Sequence, residues 1–339
     1  MVTPPTINLG IVGFGWVARD YMYPAIQRCD RVTLSAVCSA HPADMQGLPS
    51  SVRQFIRLED MLREADLDAV YIATPNHLHC AQTVACLAAG LHVLCEKPMA
   101  TTAEDATAML QAARQSGKQY ATAYDQRFHP AHQRIRHLLQ ENRLGTITQV
   151  KIDYACWLPA DWASDNWRID LQQAGGGAII DLAPHGLDLL ELLLDDTIVE
   201  LQIFQQTAVQ RYAVDDGGVL LLRFDRGTLG SLHVGYNRPE QLPRRKLEII
   251  GTEGMLVAEN TMGQEGGGRL TLTDAQDGSN TSISFDTQRS PFEEQIRHFA
   301  ESILEGASPL RHPEDDERLF RLLYQALHQE TLHRQSQLT

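Results

Sequence analysis

The residues Gly13-Phe14-Gly15-Trp16-Val17-Ala18 follow directly on the apolar run Ile7 to Val12 and open a stretch of helical periodicity. That order of strand, glycine turn and helix constrains this chain more than any other feature. Gly13 permits a tight turn, Gly15 lets backbone amides approach a pyrophosphate, and Ala18 leaves room for the helix to pack on the strand. Phe14, Trp16 and Val17 complete the turn, and the amides of the helix N-terminus face the phosphates. Glycine pairs of this spacing occur in many turns, so the motif takes its weight from the strand before it and the helix after it. The alternative is a tight turn in another doubly wound fold.

The residues that follow keep to the same plan. Short apolar, β-branched runs near 6–12, 32–38, 68–73, 91–95 and 119–123 alternate with helical patterns near 16–28, 58–65, 77–89 and 102–116. Such alternation marks a parallel sheet flanked by helices, an α/β doubly wound domain. The last helix has a start signal in Thr101 and Glu104 and a stop signal in Gly117. After residue 126 one more helix, 126–142, leads into period-two alternation, as at Val150, Ile152, Tyr154 and Cys156. Hairpins are expected where Val219–Phe224 meets Leu229–Val234 through Asp225-Arg226-Gly227, and where Leu247–Ile250 meets Met255–Ala258 through Gly251 to Gly254. Further strands are expected near 269–273 and 281–285, and helices from Ser290-Pro291-Phe292-Glu293 and over 313–334. A chain of 339 residues exceeds one ordinary core. The expectation is a Rossmann-type domain over 1–125 and an α+β domain with a large, mainly antiparallel open sheet over 126–339. The final helix is expected to pack back on the first domain.

Acidic residues number 43 against 29 Lys plus Arg, a net charge of -14, which argues against nucleic acid as a partner. The six cysteines show no C-x-x-C pair and fit a reducing compartment, so a cytoplasmic location is expected. No basic leader precedes the first apolar run, and Leu187–Leu194 is interrupted by Asp188 and Glu191, so no membrane span is expected. The spacing of His77, His79, Cys80 and His92 matches no common zinc pattern, and no metal is expected.

The end of the second strand bears on the cofactor. An acidic residue there would hold a ribose 2'-hydroxyl, and its absence leaves space for a 2'-phosphate. The chain reads Val37-Cys38-Ser39-Ala40-His41, so Ser39 and His41 tilt the expectation within NAD(P) towards NADP. The usual arginine is missing, and Arg53 or Arg57 supplies the charge only if the loop folds back.

Cys95-Glu96-Lys97-Pro98, taken with the glycine turn and with Gly175 to His185 (GGGAIIDLAPH), resembles the glucose-fructose oxidoreductase and inositol dehydrogenase (Gfo/Idh/MocA) family. Ala73 to His79, Tyr124 to Pro130 and Gly251 to Gly254 match in the same order, and the resemblance extends over nearly the whole chain. It implies that Lys97 lies beside the nicotinamide and positions or polarises the reacting oxygen. Glu96 would bear on the cofactor ribose, Pro98 would carry a cis bond, and Thr74, Pro75, Asn76 and His79 would line the cofactor crevice. Independently, a lysine at the carboxyl end of a central strand lies where open α/β sheets bind ligands.

His185 is the candidate acid/base, because oxidising an alcohol needs a group near neutral pKa to take the hydroxyl proton. By the resemblance Asp181 contacts substrate or orients His185, whereas Asp188 reads as a structural partner of a helix or of His185. On a helix the three would share one face, but Pro184 suits a first turn and suggests that the helix begins near Ala183. The family often has glycine where Ala183 stands. Trp157, Trp162 and Trp167 either stack on a sugar or pack between the domains, with Asp165 and Arg168 as partners for hydroxyls or a carboxylate. Trp167, Arg168 and Arg127 join Lys97, Asp181 and His185 as expected substrate contacts. The resemblance implies hydride transfer between a nicotinamide and a sugar, cyclitol or related polyol, in a homodimer or homotetramer built through the second sheet. Its rivals are a redox-assisted glycosidase and a non-catalytic dinucleotide-binding sensor. Retention of Lys97, Asp181 and His185 speaks against the sensor.

Overall fold

The computed structural model describes residues 5–158, 166–211 and 213–337. They divide into two compact units, Met1–Tyr124 with Phe292–Glu317, and Asp125–Pro291 with Arg318–Thr339. The chain is α/β overall, with a parallel sheet in the first unit and a mostly antiparallel one in the second.

In the first unit β1 (Ile7–Val12), β2 (Val32–Cys38), β3 (Arg53–Phe55), β4 (Ala69–Ile72), β5 (His92–Glu96) and β6 (Tyr120–Ala123) lie in the order β3-β2-β1-β4-β5-β6. Every pairing is parallel. The order reverses between β1 and β4, which puts a topological switch point at their carboxyl ends. β3 has no counterpart in the sequence reading, because Arg-Gln-Phe on a sheet edge carries no apolar run. Past the glycine turn the chain makes one wide turn over Ala18–Met22 before the α-helix Tyr23–Arg28. The cap expected at Thr101 belongs to Thr102, whose hydroxyl accepts the Asp105 amide at 3.1 Å at the start of the Ala103–Ser116 helix.

The grouping of Phe292–Glu317 with the first unit differs from the expected block 126–339. The Pro291–Leu304 helix buries Phe292, Ile296, Phe299 and Ala300 in the core beneath β1 and β2. Burying large apolar side chains is worth roughly 1.5–3 kcal/mol each. The ion pairs Arg28–Glu293, Asp30–Arg297 and Arg31–Glu305 flank that face, and exposed pairs contribute only about 0–1 kcal/mol each. The apolar stripe therefore decides where this helix packs. Glu314 and Glu317, in the first turns of the Pro313–Gln337 helix, bond Arg114 and Thr107 of the first unit. Further along, Leu319, Leu323 and Ala326 belong to the core of the second.

The second unit holds β7 (Ile147–Ala155), β8 (Ile198–Gln206), β9 (Gly217–Phe224), β10 (Leu229–Gly235), β11 (Arg245–Gly251), β12 (Gly254–Glu259), β13 (Arg269–Asp274) and β14 (Asn280–Ile283). Their order is β14-β13-β12-β11-β7-β10-β9-β8. Only β7 with β10 is parallel; the other pairs are antiparallel, both expected hairpins among them. The helix Ala178–Leu194 packs on the face that carries Ile152, Leu220 and Leu232. It is buried almost all round, as its apolar composition requires. A Cβ at Gly186 would lie 2.9 Å from Leu232, so the glycine admits the close approach of helix to sheet.

That helix begins five residues before the expected start, and Pro184 lies inside it. The cap comes from far along the chain: the carboxylate of Asp215 accepts the amides of Gly177 at 2.9 Å and Ile179 at 2.8 Å. A Cβ at Gly177 would sit 2.1 Å from the Asp215 carbonyl oxygen, which is why the glycine run precedes this helix. The expected helix 126–142 is a turn over Asp125–Phe128 followed by a helix over Pro130–Gln140. Pro130 keeps His129 extended, and the His129 ring accepts the Ala131 amide at 3.1 Å. Among the described residues no helix is long and apolar enough to cross a membrane.

Candidate active site

The glycine turn sits at the switch point. Gly13 has φ +86°, and a Cβ there would lie 2.8 Å from the carbonyl carbon and oxygen of Ala73, so only glycine fits. The Gly13 amide donates to Cys38 O and the Ala73 amide to Val12 O, both at 2.8 Å, which joins the ends of β1, β2 and β4. Nothing lies within 4 Å of a Cβ built on Gly15. A dinucleotide pyrophosphate fits that open cradle, with the backbone of the turn as donor. Only the backbone of Phe14 serves such a role, because its ring is buried against Tyr23 with centroids 5.9 Å apart. Trp16 is half exposed and stands edge-on to Tyr21 at 5.3 Å, and Val17 packs against the core.

Thr74, Pro75 and Asn76 leave the end of β4 in a short turn. The Thr74 methyl faces Gly13 and its hydroxyl donates to Gln82 at 2.6 Å. His79 corrects the expectation of a cofactor contact. It is fully buried, with Nδ1 2.9 Å from Pro98 O and Nε2 2.9 Å from Thr74 O. Burial pushes its pKa down to about 4 against the pull of those two carbonyls. The neutral ring donates to one carbonyl and ties the Thr74 loop to the end of β5, so it positions residues and does not touch a ligand. Glu96 at that end accepts the Tyr71 hydroxyl and, at 3.3 Å, the Lys97 amide. Lys97 is half-buried, and its peptide to Pro98 is cis.

In the second unit, Asp181 and His185 lie one turn apart on the Ala178–Leu194 helix, on one face. His185 Nδ1 is 3.1 Å from Oδ1 of Asp125, and both side chains are buried. The contact has the distance of an ion pair, although its angles fall outside those of a good hydrogen bond. The Asp125 carboxylate also accepts from Gln126 Nε2 at 2.9 Å. Asp181 accepts the Tyr236 hydroxyl at 2.7 Å. Tyr154 stands edge-on to His185, with centroids 5.7 Å apart, and the Arg245 guanidinium lies 5.9 Å from the Tyr154 ring centroid. Burial pushes both tyrosine pKa values up, with Asp181 adding to each shift, so both hydroxyls are neutral donors. Asp125, Tyr154, Tyr236 and Arg245 are site residues that the sequence reading missed. Asp125 lies inside the matching stretch Tyr124 to Pro130, which is the one signal that could have found it.

Arg127 does not meet substrate as expected. Its guanidinium forms a bidentate pair with Asp188 at 2.9 and 2.7 Å, with side-chain exposures of 5% and 0%. Two buried charges in that geometry satisfy each other and leave Arg127 a structural role. Asp188, expected as a structural partner of a helix or of His185, pairs with Arg127. Arg168 stacks on Trp167 at 4.4 Å, and its charge opposes, without reversing, the upward push of burial and Asp181 on the Tyr236 hydroxyl. Trp162 and Asp165 lie outside the described residues. Ser39 and His41 stand at the end of β2, with the His41 amide donating to Ser39 Oγ at 3.2 Å.

Comparison with known proteins agrees with this architecture. Residues 7–124 match the oxidoreductase family with an NAD-binding Rossmann fold, and residues 132–257 match the GFO/IDH/MocA C-terminal domain. The 1,5-anhydro-D-fructose reductase of Ensifer adhaerens is 33% identical over 273 residues, 79% of this chain and 80% of that protein. The levoglucosan dehydrogenase of Pseudarthrobacter phenanthrenivorans is 26% identical over 291 residues, 74% of this chain and 73% of that one. Among solved structures, levoglucosan dehydrogenase in complex with NADH superposes with a TM-score of 0.85 at 22% identity, covering 97% of both chains. Aldose-aldose oxidoreductase from Caulobacter crescentus gives 0.85 at 24%, covering 96% and 98%. The chain belongs to the Gfo/Idh/MocA family of NAD(P)-dependent oxidoreductases.

Proposed function

We propose that this protein transfers a hydride between nicotinamide C4 and a hydroxyl or carbonyl carbon of a sugar, cyclitol or related polyol. The carrying observation is the histidine one turn beyond Asp181 with a buried carboxylate against its Nδ1, in a chain whose other unit has an open glycine cradle. The names of relatives that reduce anhydrofructose or oxidise levoglucosan support the substrate class. A bound nicotinamide dinucleotide supplies the hydride donor or acceptor. Gly13, Gly15 and the backbone of Phe14, Trp16 and Val17 hold its pyrophosphate, with Thr74, Pro75, Asn76 and Glu96 alongside. Asp125 keeps the proton of His185 on Nδ1, which leaves Nε2 as the base that takes the hydroxyl proton and returns it in reduction. Lys97 polarises the reacting oxygen. Asp181, fixed by Tyr236, together with Trp167 and Arg168, binds the substrate hydroxyls.

Incubation with a panel of sugars and polyols, following reduced nicotinamide and released aglycone together, tests this reading. Net change in reduced cofactor supports it; aglycone without net cofactor change points to a redox-assisted glycosidase, and binding without either points to a sensor. The absence of disulfides among the six cysteines supports residence in a reducing compartment such as the cytoplasm. The second sheet further supports a homo-oligomer: Phe204, its register partner Val219, and Leu221 leave an apolar patch exposed on one face. Light scattering of the purified chain checks this, and a monomer would remove it.

A further inference from the structure

We infer that Asp44, held by Ser39 at the end of β2, makes this dinucleotide site select NAD(H) and reject NADP(H); the inference rests on the oxidoreductase reading above. The Gly13 amide donates to Cys38 O at 2.8 Å, which fixes the end of β2 beside the phosphate turn. In a sheet of this order the next residue stands where the adenosine ribose presents its 2'-position. That residue is Ser39, buried and anchored by its amide to Phe55 O at 3.0 Å. It carries no charge of its own, but its hydroxyl lies 3.2 Å from Oδ2 of Asp44. Asp44 is half-buried on the short turn Pro42–Met45, and the His41 amide closes the loop onto Ser39 Oγ at 3.2 Å. The carboxylate that local sequence lacks at residue 39 is thus delivered from residue 44.

The cations that a 2'-phosphate would need are engaged elsewhere. Arg53 pairs with Glu64 at 3.1 Å, Arg57 with Glu59 at 3.4 Å, and Arg19 with Asp20 at 2.8 Å. Asp44 lies close enough to Arg19 to help raise its pKa, after Asp20. Each arginine brings its own carboxylate, so Asp44 remains as surplus negative charge. A carboxylate accepts a hydrogen bond from a ribose hydroxyl, whereas a phosphate dianion meets repulsion and has no donor to offer. The NADP preference drawn from Ser39 and His41 is therefore reversed.

Calorimetric titration of the full-length chain with NADH and NADPH tests this without relying on turnover. The wild type is expected to bind NADH at least about tenfold more tightly than NADPH, a difference of about 1.4 kcal/mol. Asp44→Asn should bring the two within about threefold, and Ser39→Ala, which frees the Asp44 side chain, should fall between. Taking the ratio of the two affinities on one preparation cancels any loss of folded protein. Equal or tighter NADPH binding by the wild type overturns the assignment, as does an unchanged ratio in Asp44→Asn, and both leave the oxidoreductase reading standing. Failure of both dinucleotides to bind would overturn both.

Discussion

Oδ1 of Asp125 lies 3.1 Å from Nδ1 of His185, with both side chains buried. A carboxylate in that position favours the tautomer with its proton on Nδ1, which turns Nε2 to the open side as an acceptor. The pair comes from two elements, the turn Asp125–Phe128 and the helix Ala178–Leu194.

Replacing Asp125 by Asn keeps the shape and removes the charge. We expect kcat to fall about 10²-fold while dinucleotide affinity stays unchanged. An unchanged kcat would exclude Asp125 from the acid/base pair.

Gly13→Ala should abolish dinucleotide binding in calorimetry. Alanine at φ +86° with its Cβ 2.8 Å from the Ala73 carbonyl would push apart the ends of β1 and β4. The backbone term alone costs roughly 1–2 kcal/mol. Wild-type affinity in this variant would disprove the placement of the phosphate turn.

Asp215→Ala should lower the stability seen in urea unfolding by about 1–2 kcal/mol. The amides of Gly177 and Ile179 lose their acceptor at the start of the helix that carries Asp181 and His185. An unaltered midpoint would show that this cap is dispensable.

Three buried histidines set the response to acid. Burial pushes His79 and His129 down to about 4 and His132 down to about 3, against 6.5 unfolded. The unfolded chain therefore binds more protons, and the stability these groups contribute is present above about pH 6.5 and lost as pH falls through their folded values. Each proton contributes about 1.4 kcal/mol per pH unit within that window. Asp215 works in the opposite sense, its carboxyl pushed up to about 6 by burial, so it offsets only one of the three below that pH. The urea midpoint should fall between about pH 6.5 and pH 5; a midpoint that holds or rises would contradict the neutral assignment of these rings.

What was legible in the sequence follows the range of the interactions. The apolar strands and glycine turns announce themselves because their causes are local: Ile7 to Val12 is apolar, and Gly13 must take a positive φ. The edge strand Arg53–Phe55 lacks such a pattern. The start of the His185 helix was misread because Pro184 is a local signal, whereas its cap is the distant Asp215, 38 residues from Gly177. Arg127 read as a substrate contact because nothing nearby in sequence hints at Asp188, 61 residues away. Asp181 and His185 were visible through their spacing, but the partners that fix them, Tyr236 and Asp125, come together only in the folded chain. Asp44 is an intermediate case: five residues from Ser39, it joins the site only once the Pro42–Met45 turn forms.

The most direct test of the central claim compares turnover of reduced nicotinamide by wild type, Lys97→Ala and His185→Ala on whichever sugar or polyol the wild type accepts. Calorimetric dinucleotide affinity is measured alongside. We expect both variants to lose about 10²-fold or more in turnover while still binding the dinucleotide. Wild-type turnover in either variant would contradict the role assigned to that residue, and wild-type turnover in both would contradict the proposed hydride-transfer site.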